Sequence, residues 1–298
     1  MQVSKIRVDS SLREMTNHGG YDLPIVLYNN DFSLFDEGYI RWHWHKELQV
    51  SYVLNNDVCF QVQGKEIILK PEEAIILNTN VLHQIKPVNE NCKMYSIVFD
   101  SSFIESNKDS LISKKYINPI LGSINFKYIV LKNNISWQRK VLHYISNIFK
   151  AFNKKNYAYE LEVKNYLMYI WLILVREIGS YNENSNNLAI YDEERVKLAL
   201  KYIQNKYKDN ISLNDIAMSI NISKSECCRS FKRVLNMTPF EYLMEYRVFK
   251  STKLLCNSND SIASIALSVG FNGISYYGKV FKKYMNCTPS EYRREHKV

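Results

Sequence analysis

Three histidines in the first third of the chain could bind a metal ion or a polar ligand. His43 and His45 are two residues apart in a segment of β-type sequence, and His83 follows in a later segment. Imidazole nitrogens are common ligands of zinc, iron, nickel and copper, so three of them could hold one such ion. The same side chains could instead be polar anchors for an organic ligand, or hydrogen-bond only within the core.

A second set of candidate residues lies in the C-terminal third, which is the basic part of the chain. Residues 1–187 carry 21 basic and 19 acidic side chains, whereas residues 188–298 carry 18 and 11. A basic region attached to a nearly neutral one suggests a polyanionic partner such as DNA. A solvated lysine-rich surface would have the same composition, so charge alone does not decide between them.

A unit of about 50 residues is duplicated within this basic third. Residues 216–222 align with residues 265–271 at an offset of 49, and residues 238–242 align with residues 288–292 at an offset of 50. Each copy has the pattern of a helix, a tight turn and a second helix.

Local signals within each copy support these helices. Ser212 and Ser261 are predicted N-caps at equivalent positions, and Asp215 completes a capping box with Ser212. The turn falls at Asn221 in one copy and at Gly270 in the other, and these residue types adopt a left-handed backbone most readily. The second helix of each copy has an apolar stripe predicted to face inward, made of Cys227, Phe231 and Val234, and of Tyr277, Phe281 and Tyr284.

Another face of each second helix is small, polar and basic. It consists of Ser225, Cys228, Arg229 and Lys232 in the first copy, and of Ser275, Gly278, Lys279 and Lys282 in the second. A helix with such a face can enter a major groove about 12 Å wide, where Arg229 and Lys279 would reach base edges or phosphates. A connecting helix from Pro239 to about Leu255, N-capped by Thr238, would span ~24 Å and hold the two units near successive major grooves.

The C-terminal third resembles the DNA-binding domain of AraC-type transcription regulators, in which a long helix joins two helix-turn-helix units. The resemblance covers residues 195–298 and rests on Ile265-Ala266, Val269-Gly270-Phe271, Ser275-Tyr276-Tyr277, Phe281-Lys282-Lys283, Thr288-Pro289 and Tyr292-Arg293. It implies double-stranded operator DNA as a partner, and a contact with RNA polymerase as a further one. The predicted DNA-contact residues are Ser225, Cys228, Arg229, Lys232, Ile274, Ser275, Tyr276, Lys279 and Lys282.

The N-terminal half alternates between short β-type runs and polar turns. The predicted strands are residues 39–44, 49–54, 58–62, 66–69, 74–77 and 95–99. Several short strands at this spacing are typical of a β-sandwich or barrel. In the first strand, period-two alternation would place Arg41, His43 and His45 on one face, and Trp42 and Trp44 on the other.

Residues 41–45, 52–54 and 78–83 resemble the cupin-like sensor domain that precedes many AraC-type DNA-binding domains. The resemblance implies a barrel pocket for a small-molecule effector, with Arg41, His43, His45, Gln49, Tyr52 and His83 as candidate residues. Metal-binding cupins carry a glutamate at the position of Gln49; Glu47 lies nearby, but glutamine is a poor ligand. We therefore predict no metal, no cofactor and no catalytic residue here.

Two helices are predicted after the strands, at residues 137–152 and 159–179, and the second is too apolar for a helix with one buried face. In the AraC-type family this region, residues 136–180 here, forms a homodimer interface; packing on the barrel is the alternative. The polar segment 181–187 is predicted to be a linker. It divides the chain into an effector-sensing and dimerisation domain, residues 1–186, and a DNA-binding domain, residues 187–298.

The predicted fold class is therefore α+β, with an N-terminal cupin-like β-barrel followed by helices, and then an all-α domain of two helix-turn-helix units joined by a long helix. No run of 18 apolar residues and no signal-peptide core is apparent, and the six cysteines form no CxxC pair. We expect a cytoplasmic protein with reduced thiols and no membrane contact.

These features favour a transcription regulator controlled by an effector over an enzyme. The sequence has no GxGxxG, GxxxxGK[ST], GxSxG or HExxH motif. A metal-dependent cupin enzyme fused to a DNA-binding domain is the alternative, and Gln49 argues against it. An alkyl-transfer repair protein would need an activated cysteine, and Cys227 and Cys228 have no neighbouring histidine in the sequence.

Overall fold

In the computed structural model, residues 5–105, 107, 109–123, 126–178 and 188–296 are described, and the chain divides into two compact units. The N-terminal unit contains the described residues of Arg13–Ile190, and the C-terminal unit those of Tyr191–Val298. The predicted linker at 181–187, and with it the domain boundary at 186/187, lies outside the described residues, so both stay predictions.

The described residues of the N-terminal unit form nine strands, all paired in antiparallel fashion. They are β1 (Ile25–Asp31), β2 (Ile40–His43), β3 (Leu48–Asn55), β4 (Val58–Val62), β5 (Lys65–Leu69), β6 (Ala74–Leu77), β7 (His83–Pro87), β8 (Lys93–Phe99) and β9 (Tyr128–Leu131). One sheet has the strand order β1-β8-β3-β6-β9 and the other the order β2-β7-β4-β5. This is the cupin-like barrel that the sequence predicts.

Each face of the five-stranded sheet is covered. On the inner face, Val53, Ile75 and Met94 meet Phe60 and Ile85 of the other sheet, and all five side chains are almost fully buried. On the outer face, apolar residues of β3 and β8 pack against the helices α2 (Ser136–Lys154) and α3 (Tyr159–Ile178), which follow the short helix α1 (Asn118–Leu121). The two predicted helices are confirmed to within two residues; residue 179 lies outside the described part.

Three strands are missing from the sequence prediction: β1, β7 and β9. β1 ends in Asn29-Asn30-Asp31, and these residue types are depleted in strands. It is a strand because all seven of its residues pair with β8, which lies more than 60 residues later in the chain. Such a distant partner leaves no signal in the local sequence.

The alternation predicted for residues 41–45 put His43 and His45 on one face, and their rings do lie together inside the barrel. The strand ends at His43, however, and its pairing with β7 is irregular between Ile40 and His43. His45 therefore reaches the interior from the loop that follows, and Trp42 is buried as well. A local irregularity of pairing shifts which side chains face inward, and strict period-two counting does not foresee it.

Between residues 188 and 296, the described part of the C-terminal region, there are seven helices: α4 (Leu188–Lys206), α5 (Leu213–Ser219), α6 (Lys224–Leu235), α7 (Pro239–Asn257), α8 (Ile262–Ser268), α9 (Ile274–Met285) and α10 (Pro289–His296). The duplication is confirmed in three dimensions, because α5 and α8 are both 7 residues long and α6 and α9 are both 12. Two helix-turn-helix units, α5–α6 and α8–α9, are therefore joined by the long helix α7.

The helix ends are set by the local signals in the sequence. Ser212 with Asp215, and Thr238 with Glu241, form complete capping boxes at α5 and α7. The turns contain Asn221 and Gly270 with φ of 55° and 93°, as predicted. Two further asparagines at equivalent positions, Asn236 and Asn286, end α6 and α9 in the left-handed conformation. No helix in the described ranges is long and apolar enough to cross a membrane.

Candidate functional sites

The helices α6 and α9 each have a buried and an exposed face. Cys227, Phe231 and Val234 of α6 are buried, as are Tyr277 and Phe281 of α9, which confirms these members of the predicted inward stripes. Of the nine predicted DNA-contact residues, eight are exposed: Ser225, Arg229, Lys232, Ile274, Ser275, Tyr276, Lys279 and Lys282. The ninth, Cys228, is half-buried. Each helix-turn-helix unit thus presents its candidate residues to solvent on its second helix.

The basic side chains on the two helices differ in how they are held. Arg229 lies 2.6 Å from the Glu226 carboxylate, which Arg233 also contacts. The hydrogen bonds from Arg233 and then from Arg229 lower the pKa of Glu226, so this carboxyl stays ionised. Lys279 has no carboxylate partner within the described part of the chain. Arg229 must therefore leave Glu226 to reach a base, whereas Lys279 needs no such exchange.

A buried aspartate fixes α6 against α4. Asp192 has a side chain that is 2% exposed, and it accepts hydrogen bonds from Ser230 (2.7 Å) and Arg233 (2.6 Å). Burial acts to raise the pKa of Asp192, but the hydrogen bonds from Arg233 and Ser230 outweigh it, and the pKa lies below its usual range. The ionised carboxylate therefore ties the second helix of the first unit to the helix that begins the C-terminal unit.

Replacing Asp192 by alanine is expected to lower the free energy of unfolding of the C-terminal unit by about 2 kcal/mol, because the buried Ser230 hydroxyl loses its acceptor. The loss should be full above pH ~4 and shrink as the pH falls below it, since an aspartate with a lowered pKa stabilises the fold only while it is ionised. Urea unfolding followed by circular dichroism measures this. Asp209→Ala, which removes an exposed carboxylate paired with Lys206, is the matched control and should change the free energy by less than about 0.5 kcal/mol.

In the N-terminal unit the three histidines come together inside the barrel. The rings of His43 and His83 are 4.1 Å apart between centroids, and His45 lies 5.9 Å and 5.5 Å from them. One nitrogen of each ring lies within 4.8 Å of the others, and all three side chains are buried. Burial lowers the pKa of His43 to about 4 and also lowers those of His45 and His83, so the three imidazoles are neutral near pH 7.

The same nitrogen of every ring is held by the backbone. The Nδ1 of His43 lies 2.8 Å from the Arg41 carbonyl, that of His45 lies 3.0 Å from the Glu47 carbonyl, and that of His83 lies 2.9 Å from the Val81 carbonyl. A carbonyl only accepts, so the Nδ1 atoms of His43 and His83 carry the hydrogen and their Nε2 atoms keep a lone pair. His45 differs, because its Nδ1 faces the Glu47 carbonyl and its Nε2 faces the side-chain oxygen of Gln49, so both ring nitrogens lie against acceptors. The Nε2 of the buried His83 has no hydrogen-bond partner among the described residues.

A glutamate from the N-terminal segment reaches this cluster. The backbone N–H of Glu14 donates to the Trp44 carbonyl at 2.8 Å, which docks the segment beside the first histidines. The Glu14 Oε2 atom lies 3.9 Å from His43 Nε2 and 3.3 Å from His18 Nε2, and His18 Nδ1 lies 3.0 Å from the Tyr28 hydroxyl. Burial by itself would raise the pKa of Glu14, but the hydrogen bond from His18 and the nearby His43 lower it to about 2.

Polar side chains continue from the cluster across the five-stranded sheet. The side-chain oxygen of Gln49 lies 2.9 Å from His45 Nε2, and its side-chain nitrogen donates to Ser51 Oγ at 2.8 Å. Ser51 Oγ lies 2.9 Å from Ser96 Oγ, and Ser96 Oγ accepts a hydrogen bond from the side-chain nitrogen of Asn30 at 3.0 Å. Asn30, Gln49 and Ser96 of this row line, together with Glu14 and His18, a cavity of about 30 Å³.

The structure brings together four of the six predicted pocket residues, namely His43, His45, Gln49 and His83. Arg41 contributes its backbone carbonyl to His43. Tyr52 does not join them and is a correction to the prediction. It lies three residues after Gln49 on β3, hence on the opposite face of the sheet, where its ring is 5.7 Å from Phe149 of α2.

The sequence analysis missed the polar residues Glu14, His18, Tyr28, Asn30, Ser51 and Ser96 at this site. Glu14 and His18 come from a segment without strand or helix periodicity, and Asn30 comes from the missed strand β1. Ser51 could have been found, because it follows Gln49 at the spacing that returns to the same face of a strand.

Comparison with known proteins gives matches over both units. The profile of the AraC-like ligand binding domain matches residues 31–170, and that of a helix-turn-helix domain matches residues 192–295. The chain is 30% identical to the uncharacterized HTH-type transcriptional regulator YdeC of Bacillus subtilis, over 96% of this chain and 97% of that protein. It is 35% identical to the Msm operon regulatory protein of Streptococcus mutans over 39% of this chain and 41% of that protein. Among solved structures, ToxT from Vibrio cholerae aligns with a TM-score of 0.41 and 20% identity over 92% of this chain and 98% of that one.

Proposed function

The chain belongs to the AraC family of helix-turn-helix transcription regulators, and from that premise we propose that it binds operator DNA with the exposed faces of α6 and α9, under the control of an effector in its N-terminal barrel. The relatives are transcription regulators rather than enzymes, and we propose a regulatory role without catalysis. Its place of action is then the cytoplasm, where bacterial regulators of this kind meet DNA.

The observation that carries the proposal is the duplicated exposed face. Arg229 and Lys232 on α6 correspond to Lys279 and Lys282 on α9, at the same offset as the helices themselves. In a helix-turn-helix unit the second helix enters the major groove. Small residues at Ser225, Cys228, Ser275 and Gly278 would allow a close approach, and the basic residues would contact bases or phosphates.

The effector site is proposed at the polar cluster inside the barrel. The supporting feature is a buried polar cluster of donors and acceptors formed by His43, His45, Gln49 and His83, next to a small cavity. The segment that carries Glu14 and His18 closes one side of it. A ligand that binds differently when this segment is docked and when it is released would change the population of the two arrangements.

We further propose that two copies associate through α2 and α3. The outer side of α3 keeps Leu161, Tyr169 and Leu172 exposed, by 65%, 52% and 43%, although the opposite side of the helix is buried. Exposed apolar side chains on one face mark an interaction surface. For activation we place the RNA polymerase contact at Met218 and Leu267, which are exposed and occupy equivalent positions in α5 and α8.

The experiment that tests DNA binding is a gel-shift titration of the full-length protein on fragments from its own upstream region and on random DNA of equal length. A specific shift with a steep salt dependence is expected, since phosphate contacts release counterions. The titration is repeated on operators selected from a random-sequence library. Failure to enrich any sequence, together with equal affinity for all fragments, would contradict the proposal.

A further inference from the structure

The three imidazoles of the histidine cluster lie close enough together to share one small ligand. The cavity of about 30 Å³ beside them is lined by His43, Glu14 and His18, but by neither His45 nor His83.

Two of the three imidazoles are already oriented to bind a cation. The Nδ1–H groups of His43 and His83 donate to the carbonyls of Arg41 and Val81, so their free lone pairs are on Nε2. Histidines that bind a metal ion typically donate their other ring N–H to a carbonyl or carboxylate in this way, which fixes the tautomer and the ring orientation. The Nδ1 of His45 also faces a carbonyl, that of Glu47, but its Nε2 contacts the Gln49 oxygen and becomes available only when that amide turns away.

Within the described ranges the buried Nε2 of His83, a side chain 1% exposed, has no donor to accept from. A buried polar atom without a partner is costly, and a cation between the rings would satisfy it. This observation does not depend on the distances between the three rings, and it also favours a cation at the cluster.

A carboxylate lies beside the cluster, next to His43. Two ligands of one tetrahedral Zn²⁺ ion are separated by roughly 3–4 Å, and Glu14 Oε2 lies 3.9 Å from His43 Nε2. His18 orients this carboxylate, because its Nε2 lies 3.3 Å from Glu14 Oε2. The other ring nitrogen of His18 is held by the Tyr28 hydroxyl at 3.0 Å. Since the three ring nitrogens spread over 4.8 Å, they would close by roughly 1 Å around an ion.

We propose that His43, His45 and His83, together with the carboxylate of Glu14, bind one divalent transition-metal ion of the zinc class. Three neutral imidazoles and one carboxylate suit Zn²⁺, Fe²⁺, Ni²⁺ and Co²⁺, and favour them over Mg²⁺ or Ca²⁺, which take oxygen ligands. The carboxylate comes from the N-terminal segment rather than from position 49 of β3. The ion therefore holds this segment to the barrel, and the Gln49 amide turns away from His45 when the ion enters.

The test is a Co²⁺ titration of full-length protein that carries no polyhistidine tag and has been dialysed against a chelator. The expected result is one Co²⁺ per chain with visible absorption bands of nitrogen and oxygen ligation, displaced by Zn²⁺. His83→Gln should weaken binding by more than about 100-fold and Glu14→Gln by about 10- to 100-fold. His143→Ala, which removes an exposed histidine of α2, is the matched control and should bind as the unsubstituted chain does.

Circular dichroism and tryptophan fluorescence show whether each variant is folded. His83 begins strand β7, whereas Glu14 lies outside the strands, so Glu14→Gln is less disruptive to folding. If His83→Gln does not fold, Glu14→Gln still tests the proposal. A second measurement follows the rate of trypsin cleavage at the exposed Arg7 and Arg13. The ion should slow this cleavage in the unsubstituted chain, but should not slow it in the Glu14→Gln variant. The proposal is overturned by sub-stoichiometric binding, or by either ligand variant binding as tightly as the unsubstituted chain. These measurements need no DNA, so they fail or succeed independently of the proposed operator binding.

Discussion

The double substitution Arg229→Ala/Lys279→Ala is expected to weaken binding to the selected operator by about 2–6 kcal/mol, and each single substitution by about 1–3 kcal/mol. The two side chains lie on different helices of the duplicated unit and share no partner, so their effects should add. The physical reason is the loss of a cationic contact to a base edge or phosphate in each of two grooves. Fluorescence anisotropy titrations at one fixed salt concentration, on operator and random DNA, measure it.

The control for this prediction is Lys65→Ala, which removes an exposed lysine of β5 in the N-terminal unit, outside the helices proposed to associate, and should leave operator affinity unchanged. Equal losses on operator and random DNA would mean that Arg229 and Lys279 contact phosphates only, because phosphates carry no sequence information. Unchanged affinity of the double variant for both DNAs would contradict the assignment of α6 and α9 as the helices that bind DNA.

The second large effect is expected from Gly270→Ala, at the turn between α8 and α9. Gly270 has φ of 93°, and a Cβ there would lie 2.7 Å from the Tyr207 carbonyl oxygen and 2.9 Å from two atoms of the Arg247 guanidinium. Arg247 cannot move aside freely, since it donates to the carbonyls of Tyr207 (2.7 Å) and Asp209 (2.8 Å). We expect the C-terminal unit to lose more than about 2 kcal/mol of its free energy of unfolding, from backbone strain and steric overlap together.

The matched control is Gly278→Ala in α9. A Cβ at Gly278 meets open space, and alanine is favoured over glycine within a helix, so this variant should gain up to about 1 kcal/mol. All four tryptophans (Trp42, Trp44, Trp137 and Trp171) precede the C-terminal unit. In urea, Gly270→Ala should therefore shift the transition seen by circular dichroism and leave that of tryptophan fluorescence in place. Coincident shifts of both signals, or no shift of either, would show the prediction to be wrong.

The histidine site shows where sequence-based inference is strong and where it ends. His43, His45 and His83 were correctly grouped because their types and positions resemble those of cupin-like barrels. Tyr52 was grouped with them by resemblance alone, although strand periodicity already places it opposite Gln49. Glu14 could not be foreseen, since its approach depends on how residues before β1 dock beside Trp44.

By itself, the sequence determined the features that depend on residues close together in the chain. The capping boxes at Ser212 and Thr238, the left-handed turns at Asn221 and Gly270 and the buried stripes of α6 and α9 each follow from a few neighbouring residues. Other features are visible only in the tertiary structure: the formation of strand β1, the irregular pairing of β2, the buried hydrogen bonds of Asp192 and the approach of Glu14 to the histidines. Each of these depends on contacts between distant segments, whose free energy comes from pairing and packing that no local pattern records.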